Sequence, residues 1–262
     1  MIRVLFLGDI IGSVGRKACT SFLREEKVNY DLIIANGENI AGGYGLTPKT
    51  AEEIFSAGVD VITSGNHLFD KKEVFELSRN NNILKPANMH PDIRFNYYCI
   101  IKRNGVSIAV THFMGRLFMN FPLECPFRTA DKVLSEICSS SSPPKIKIVD
   151  FHAEATSEKM AMGFYLAGRV SAVCGTHTHV QTSDERIISG TGYITDVGMV
   201  GSFNSVIGME KNSAIKKIIT GLPKRLEVAE EDPIVQGVIL EIDDKTGNCI
   251  KVERLSERIT QF

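Results

Sequence analysis

Five apolar runs in this sequence each end at side chains that commonly bind metal ions. Short apolar runs bounded by glycine and polar residues are typical of buried strands. In open α/β sheets, the carboxyl ends of such strands form the binding crevice. The pattern therefore predicts an α/β fold that gathers these side chains at one site. The residues at the five ends are Asp9, Glu38-Asn39, Asn66-His67, His152 and His177-x-His179.

The strongest of these motifs is Gly175-Thr176-His177-Thr178-His179, which follows the apolar run Val170–Cys174. On extended backbone, residues i and i+2 point to the same side, so a strand end could clamp a metal between the two imidazoles. Considered alone, the motif is equally typical of a polar loop with two solvated histidines. The same pattern at the other strand ends favours the metal interpretation.

Length and charge limit the kind of protein. The 262 residues suffice for one large domain or two small ones. The clearest break is the polar connector 139–144, which is short enough for a crossover between elements, so we predict a single domain over residues 1–262. With 30 basic and 31 acidic residues, the net charge is -1, which argues against a nucleic-acid coat or a membrane-surface protein.

The sequence also indicates the cellular compartment of the protein. The N-terminal apolar run breaks at Gly8-Asp9, too early for a signal peptide, and no run approaches the length of a membrane span. The six cysteines form no CxxC pair, and most lie in apolar segments. These features predict a reduced, cytoplasmic protein.

The sequence supports specific predictions for three other segments. We predict a helix over Lys71–Arg79, and a hairpin at Asn104-Gly105, because Asn-Gly between apolar runs favours a two-residue turn. The second hairpin strand is expected to end at His112, which we place in the pocket wall or a supporting position and not among the ligands. The segment Phe113–Phe127 is compatible with a lid or with core, and core is the better default for aromatic-rich sequence.

The candidate ligands supply oxygen and nitrogen but no thiolate, which suits Mn, Fe or Zn in an open, reactive site. They are too many for one tetrahedral ion, and they suit two ions that share a bridging carboxylate. His67 can stay off the metal and act on substrate protons. Each position alone has an ordinary alternative, such as a turn Asn or a surface His. The seven candidates are Asp9, Glu38, Asn39, Asn66, His152, His177 and His179.

Taken in order, these motifs resemble the calcineurin-like metallophosphoesterase superfamily, and more closely the bacterial YmdB-type phosphodiesterases. The resemblance covers essentially the whole chain. The broad superfamily has a histidine where this chain has Ile11 and a bridging aspartate where it has Glu38; the YmdB-type branch shares both departures. The supporting stretches are Leu7–Gly12, Ala35–Asn39, Thr63–His67, Asp150–Lys159, Gly175–Thr182 and Tyr193–Met199.

The resemblance implies a four-layer αββα sandwich, with two facing mixed β-sheets and helices outside. It also implies two divalent transition-metal ions, Fe or Mn foremost and Zn as an alternative, which share Glu38. The first ion would be bound by Asp9, Glu38, Asn39 and His179. The second would be bound by Glu38, Asn66, His152 and His177.

Two divalent ions would attract a phosphate, acidify a bridging water and favour in-line attack. We therefore predict a dinuclear phosphodiesterase of 2′,3′- or 3′,5′-cyclic nucleotides, with His67 as general acid. Two alternatives stay open: a regulatory protein that holds a nucleotide in the same pocket, and a phosphomonoesterase. The expected partner is a small-molecule phosphodiester, direct nucleic-acid binding is not expected, and a homodimer or homotetramer is compatible with the sequence.

The residues beside the ligands include no Lys or Arg, which favours a diester with one negative charge over a monoester. Arg116 and Lys159 are the nearest cations by motif, and either could fold into the pocket. The glycine-rich loop 41–45 and the segment 113–127 are expected to form together an apolar wall for a nucleobase.

Overall fold

The computed structural model describes residues 1–260 and contains two mixed β-sheets. Sheet A contains β1 (Ile2–Ile10), β2 (Leu32–Asn36), β3 (Val61–Thr63), β4 (Ile83–Leu84), β11 (Met199–Ser202), β12 (Pro233–Ile242) and β13 (Cys249–Arg258). Sheet B contains β5 (Tyr98–Arg103), β6 (Val106–Met114), β7 (Ile146–His152), β8 (Ala172–Thr176), β9 (Arg186–Ile188) and β10 (Thr191–Ile194). The α-helices of the described chain are α1 (Gly12–Glu26), α2 (Pro48–Ala57), α3 (Pro126–Cys138), α4 (Thr156–Leu166) and α5 (Lys211–Thr220).

The strand order places parallel strands at the centre of both sheets. Sheet A has the order β13-β12-β11-β1-β2-β3-β4, in which β11, β1, β2, β3 and β4 run parallel and β12 pairs antiparallel with both β1 and β11. Sheet B has the order β5-β6-β7-β8-β10-β9, with β6, β7, β8 and β10 parallel. Parallel neighbours bring their carboxyl ends to one edge of each sheet.

Three apolar cores separate four layers. One core packs α1 and α2 on sheet A through residues such as Phe22 and Ile54. The middle core lies between the two sheets and includes Phe6. The third packs α3 and α4 on sheet B through residues such as Val133 and Met162. This is the four-layer αββα architecture that the sequence motifs imply.

Local sequence explains several boundaries. Before α2, the Thr47 hydroxyl accepts from the Thr50 N–H, and the Thr50 hydroxyl accepts from the Thr47 N–H, a reciprocal capping arrangement. The helix ends at Gly58, whose φ of 118° glycine adopts without steric penalty. Asn104 and Gly105, with φ of 50° and 78°, connect β5 and β6 as the predicted hairpin.

The helix predicted over Lys71–Arg79 is wrong in type and length. The segment forms a 3₁₀ helix over Lys72–Leu77 in which only Val74 is buried. A short helix in water depends on packing of an apolar face. Only Val74 is buried and Leu77 is partly buried against the core, so the apolar face is too narrow to support an α-helix here.

The expected end of β6 at His112 and the expectation for the segment after it also need correction. β6 continues past His112, because its parallel pairing with β7 extends until Met114 lies opposite His152. Phe113 and Met114 are core residues, but the chain then leaves the core, and Phe118 is 84% exposed. Core is therefore the wrong default for residues 116–120.

No helix within residues 1–260 is long and apolar enough to cross a bilayer. The six cysteines are free, and four of them are buried. Burial raises the pKa of the Cys19 and Cys99 thiols to about 12, so both are weak nucleophiles at neutral pH.

Candidate active site

The candidate ligands lie where the strands of the two sheets end. Asp9, near the end of β1, is in register with Asn36, the last residue of β2. In sheet B, the last residues of β7 and β8, His152 and Thr176, are in register. The sheets face each other, so these ends meet at one edge of the sandwich. There the His177 N–H donates to Asp9 Oδ2 at 3.2 Å.

Three predicted ligands converge on the Nε2 atom of a fourth, His152. Glu38 Oε1 lies 3.1 Å from this atom, His177 Nδ1 lies 3.0 Å from it, and Asn66 Oδ1 lies 3.2 Å from it. They are the four residues that the resemblance assigns to the second ion. Glu38, His152 and His177 form a group that can hold a metal ion, with mixed oxygen and nitrogen donors.

Asp9, Asn39 and His179 form a second group beside the first. His179 Nε2 lies 3.6 Å from Asp9 Oδ1 and 3.4 Å from Asn39 Nδ2, while its Nδ1 donates to the Ile207 carbonyl at 3.0 Å. Asp9 Oδ1 is buried without a hydrogen-bond partner. Buried polar atoms are nearly always partnered, so this oxygen fits a cation ligand.

Mutual electrostatics determine the charge of the two groups. Burial would raise the pKa of Glu38, but His152 holds it well below its usual range. Burial would also raise the pKa of Asp9, but His179 lowers it. Burial lowers the pKa of His179, but Asp9 outweighs this effect and raises it to about 9. Burial, together with the charge of His152, lowers the pKa of His177 to about 3. The site therefore contains two ionised carboxylates.

The His177–His179 segment is not extended, contrary to prediction. β8 ends at Thr176, and His177 and His179 have φ of 96° and 60°. In this left-handed backbone the two imidazoles do not share one side, and each joins a different group. Such conformations cost about 1–3 kcal/mol per residue and cluster at functional sites.

A buried ion pair supports this histidine segment. Lys159 Nζ donates to Asp196 Oδ2 at 2.7 Å and to Thr178 Oγ1 at 3.1 Å. The Thr178 N–H and hydroxyl donate to the same carboxylate oxygen at 3.2 and 2.6 Å. Lys159 therefore stabilises this segment from inside the protein, and its side chain does not enter the pocket. Arg116 is exposed and lines neither cavity at the site, so neither cation considered from the sequence lies there.

His67 lies beside the candidate ligands, and its imidazole forms no hydrogen bond with any of them. Its backbone N–H donates to Glu38 Oε2 at 3.1 Å, and its Nδ1 lies 2.8 Å from Asp70 Oδ2, a contact that orients the ring. The edge of the Tyr44 ring packs at a 5.1 Å centroid distance. The side chain is 30% exposed, so it is accessible from the pocket.

His112 is fully buried, with its ring centroid 6.3 Å from that of His152 and its Nδ1 3.3 Å from the carbonyl oxygen of Asp150. It therefore occupies the supporting position expected from the sequence. Burial and the charge of His152 lower the pKa of His112 to about 3, so the ring is neutral at ordinary pH.

Sequence reasoning missed two carboxylates that orient candidate ligands. Buried Asp150 accepts from Thr176 Oγ1 at 2.7 Å, and Thr176 Oγ1 lies 2.9 Å from His152 Nδ1. This series of contacts directs Nε2 of the His152 imidazole toward the other candidate ligands. Burial raises the pKa of Asp150 to about 7. Glu154 Oε2 lies 3.1 Å from His177 Nε2 and orients that ring. The available signal for Asp150 was a carboxylate inside an apolar strand.

Gly65 shows how tightly the site is packed. A Cβ atom at this position would lie 2.1 Å from Glu38 Oε2 and 2.4 Å from His152 Nε2. Only glycine lets the backbone after β3 approach these two groups. The glycine in Gly-Asn-His is therefore part of the site.

Two cavities border the ligands. One, of about 380 Å³, is lined by Tyr44, Ile207, Met209 and Leu226 together with ligand residues. The other, of about 340 Å³, is lined by residues 118–121, Asn66 and Asp70. Both include His67 and His177. The loop 41–45 and the segment 113–127 thus form two separate walls, and not the single wall that we expected.

Two facing mixed sheets, with carboxylates and histidines at their common edge, define a metallophosphoesterase-type enzyme. The chain belongs to the YmdB-like protein family, whose family model matches residues 5–255. It is 44% identical over 258 residues to the 2′,3′-cyclic-nucleotide 2′-phosphodiesterase of Bacillus subtilis (strain 168), with 97% of this chain and 96% of that protein covered. The family resemblance predicted from the motifs is confirmed.

Solved structures agree with this assignment. A hypothetical protein from Thermus thermophilus is 38% identical, with a TM-score of 0.92, and the match covers 98% of this chain and 99% of that one. A protein described as a novel phosphatase from Mycoplasma pneumoniae is 33% identical, with a TM-score of 0.90 and coverage of 98% and 93%. These similarities confirm the predicted fold class.

Proposed function

We propose that this YmdB-like enzyme is a dinuclear, metal-dependent phosphodiesterase that hydrolyses 2′,3′-cyclic nucleotides. The observation that carries the proposal is the convergence of Glu38, Asn66 and His177 on His152 Nε2, all within 3.2 Å, next to a cavity that also contains His67. The Bacillus subtilis relative, named for this activity, supports the choice of substrate.

The donor atoms fit two divalent ions, with iron or manganese suited to the mixed ligands. Asp9, Glu38, Asn39 and His179 would hold the first ion, and the unpartnered Asp9 Oδ1 supports this assignment. Glu38, Asn66, His152 and His177 would hold the second. Rotation of the Asn39 amide by half a turn presents its oxygen in place of Nδ2. When bound, such ions neutralise phosphoryl charge and acidify water.

His67 acts as the general acid. In hydrolysis, a water oxygen forms a bond to phosphorus, the ester bond to one ribose oxygen breaks, and that oxygen takes a proton. Asp70 holds Nδ1 of His67, which leaves Nε2 as the nitrogen for proton transfer. General acid catalysis contributes about 10²–10⁴-fold to such a step.

The charge of the pocket supports a diester over a monoester. Among residues 1–260, no Lys or Arg lines either cavity at the site. A phosphomonoester brings a second negative charge without a side-chain cation to pair with it. A cyclic nucleotide brings one charge and a flat base, which suits the apolar wall that Tyr44, Ile207, Met209 and Leu226 form in the first cavity.

The test uses protein purified without chelator. Metal content is measured by elemental analysis, and kcat/KM is measured on 2′,3′-cyclic AMP, 3′,5′-cyclic AMP and 5′-AMP with the same sample. We expect about two ions per chain and the highest efficiency on 2′,3′-cyclic AMP. His90→Ala is the matched control for His67→Ala, since His90 is 68% exposed and lines neither cavity. The highest efficiency on 5′-AMP would identify a phosphomonoesterase, and nucleotide binding without turnover would favour a regulatory protein.

A further inference from the structure

The two cavities at the site meet at the same pair of histidines. The first cavity, defined by Tyr44, Ile207, Met209 and Leu226, has a volume of about 380 Å³. The second, defined by residues 118–121, has about 340 Å³. Each lies within the range of about 300–1,000 Å³ that is typical of small-molecule sites. His67 and His177 border both.

Phe118 gives the second cavity an unusual wall. It is 84% exposed, and its φ is 63°. A bulky residue in left-handed backbone is an outlier, and such strain is typical of functional sites. The conformation leaves an aromatic ring accessible at the cavity, where a nucleobase can stack on it. Met119 and Phe121 continue this apolar surface.

A cyclic nucleotide has one nucleoside and can fill only one of these cavities. A linear phosphodiester has an organic group on each side of phosphorus, and two cavities that share His67 and His177 can take one group each. We infer, on the basis of the proposed function, that the enzyme also hydrolyses dinucleoside monophosphates, with one nucleoside in each cavity.

The charge of the walls limits the length of this substrate. Within the described residues, neither cavity has a Lys or Arg on its wall. Additional phosphates would therefore lie in the cavities without a cationic partner. A dinucleoside monophosphate has a single internal phosphate, which the metal-ligand groups would receive.

The reaction is an ordinary hydrolysis. A water oxygen forms a bond to phosphorus, and the bond between phosphorus and one ribose oxygen breaks. His67 gives a proton to that oxygen and regains one from the water that was consumed. The products are a nucleoside and a nucleoside monophosphate. Because His67 borders both cavities, it can reach a leaving oxygen that belongs to either nucleoside.

The experiment compares adenylyl-(3′→5′)-adenosine with 2′,3′-cyclic AMP on the metal-loaded enzyme. Phe118→Ala removes the wall of the second cavity, and Leu226→Ala removes part of the first. Both variants should lower kcat/KM for the dinucleotide about tenfold, the effect of one lost stacking or apolar contact. In at least one variant, the loss on the dinucleotide should exceed the loss on the cyclic nucleotide by about tenfold. Leu117→Ala is the control, since this exposed neighbour lines neither cavity.

Turnover of the cyclic nucleotide without turnover of the dinucleotide would overturn the two-cavity inference and leave the proposed function intact. Equal losses on both substrates in both variants would also overturn it, because both substrates would then use the same contacts. Turnover of the dinucleotide alone would support the two cavities and refute the cyclic-nucleotide assignment. Turnover of neither would refute the proposed function itself.

Discussion

His67 differs in its surroundings from His152 and His179, the two buried histidines of the candidate ligand groups. Its ring is 30% exposed and pairs with Asp70, whereas His152 is fully buried among the other ligands. A ligand histidine needs a fixed lone pair, while a proton donor needs access to the substrate. The position of His67 at both cavities meets the second requirement.

Replacement of His67 by alanine should leave the fold and metal content intact. For an alkoxide leaving group, we expect kcat to fall about 10²–10⁴-fold, because that group must be protonated as it departs. For a nitrophenyl diester the loss should be smaller, since nitrophenolate departs without a proton. Steady-state kinetics with both leaving groups provides the measurement. An equal loss on both would reject the general-acid role.

A second residue-scale prediction concerns the ion pair of Lys159 and Asp196, whose side chains are 1% and 0% exposed. Lys159→Met should lower the free energy of unfolding by about 3–5 kcal/mol, because it leaves the Asp196 charge buried and unpaired. Urea denaturation measures the change.

The control for Lys159 is Lys132→Met. Lys132 is 75% exposed and lies 3.8 Å from Glu124, so its loss should change the free energy of unfolding by less than about 1 kcal/mol. If the two lysine variants were equally stable, the buried pair would not support the histidine segment as described.

At the element scale, helix and strand ends position the chemistry. β3 ends at Thr63, and the following Gly65 lets the backbone approach Glu38 and His152. β8 ends at Thr176, and the left-handed residues after it distribute two histidines between two groups. Regular elements therefore end where the candidate ligands begin, and the connecting segments determine which atoms meet.

The cap of α2 offers a test at this scale. Thr47→Ala removes the hydroxyl that accepts from the Thr50 N–H. The loss should lower the free energy of unfolding by about 1 kcal/mol. Ser56→Ala in the same helix is the control. Because Ser56 is exposed, this substitution should change the free energy of unfolding by no more than about 0.5 kcal/mol. Similar values for both variants, measured by urea denaturation, would show that the cap contributes nothing.

At the scale of the whole molecule, the site exists only when the two sheets are packed together. Asp9 and Glu38 come from the sheet A side, whereas His152, His177 and His179 come from the sheet B side. Ions bound between them would hold the two sheets together and stabilise the folded state. Metal removal should therefore destabilise the whole sandwich.

We expect about two ions per chain in the wild-type protein. Asp9→Ala and His179→Ala should each lose the first ion, and His177→Ala should lose the second, so each variant retains about one. Elemental analysis measures occupancy. Full occupancy in His177→Ala would show that the ligand assignment is wrong.

Chelation should lower Tm by roughly 10–20 °C if both ions are supplied at about 100 times their dissociation constants. Differential scanning calorimetry with and without chelator measures this shift. A Tm that is insensitive to both chelator and added metal would contradict the stabilising role proposed for the ions.

Local sequence was enough to predict the five strands that end at the candidate ligands, the Asn-Gly hairpin and the residues at those strand ends, because these depend on neighbouring residues and on apolar periodicity. Which atoms meet depends on the tertiary structure. His177 N–H and Asp9 Oδ2 are 168 residues apart in sequence, and the left-handed backbone that separates His177 from His179 is held by Lys159 and Asp196. The buried Asp150 and the division into two cavities likewise arise from packing between distant segments, which no local pattern specifies.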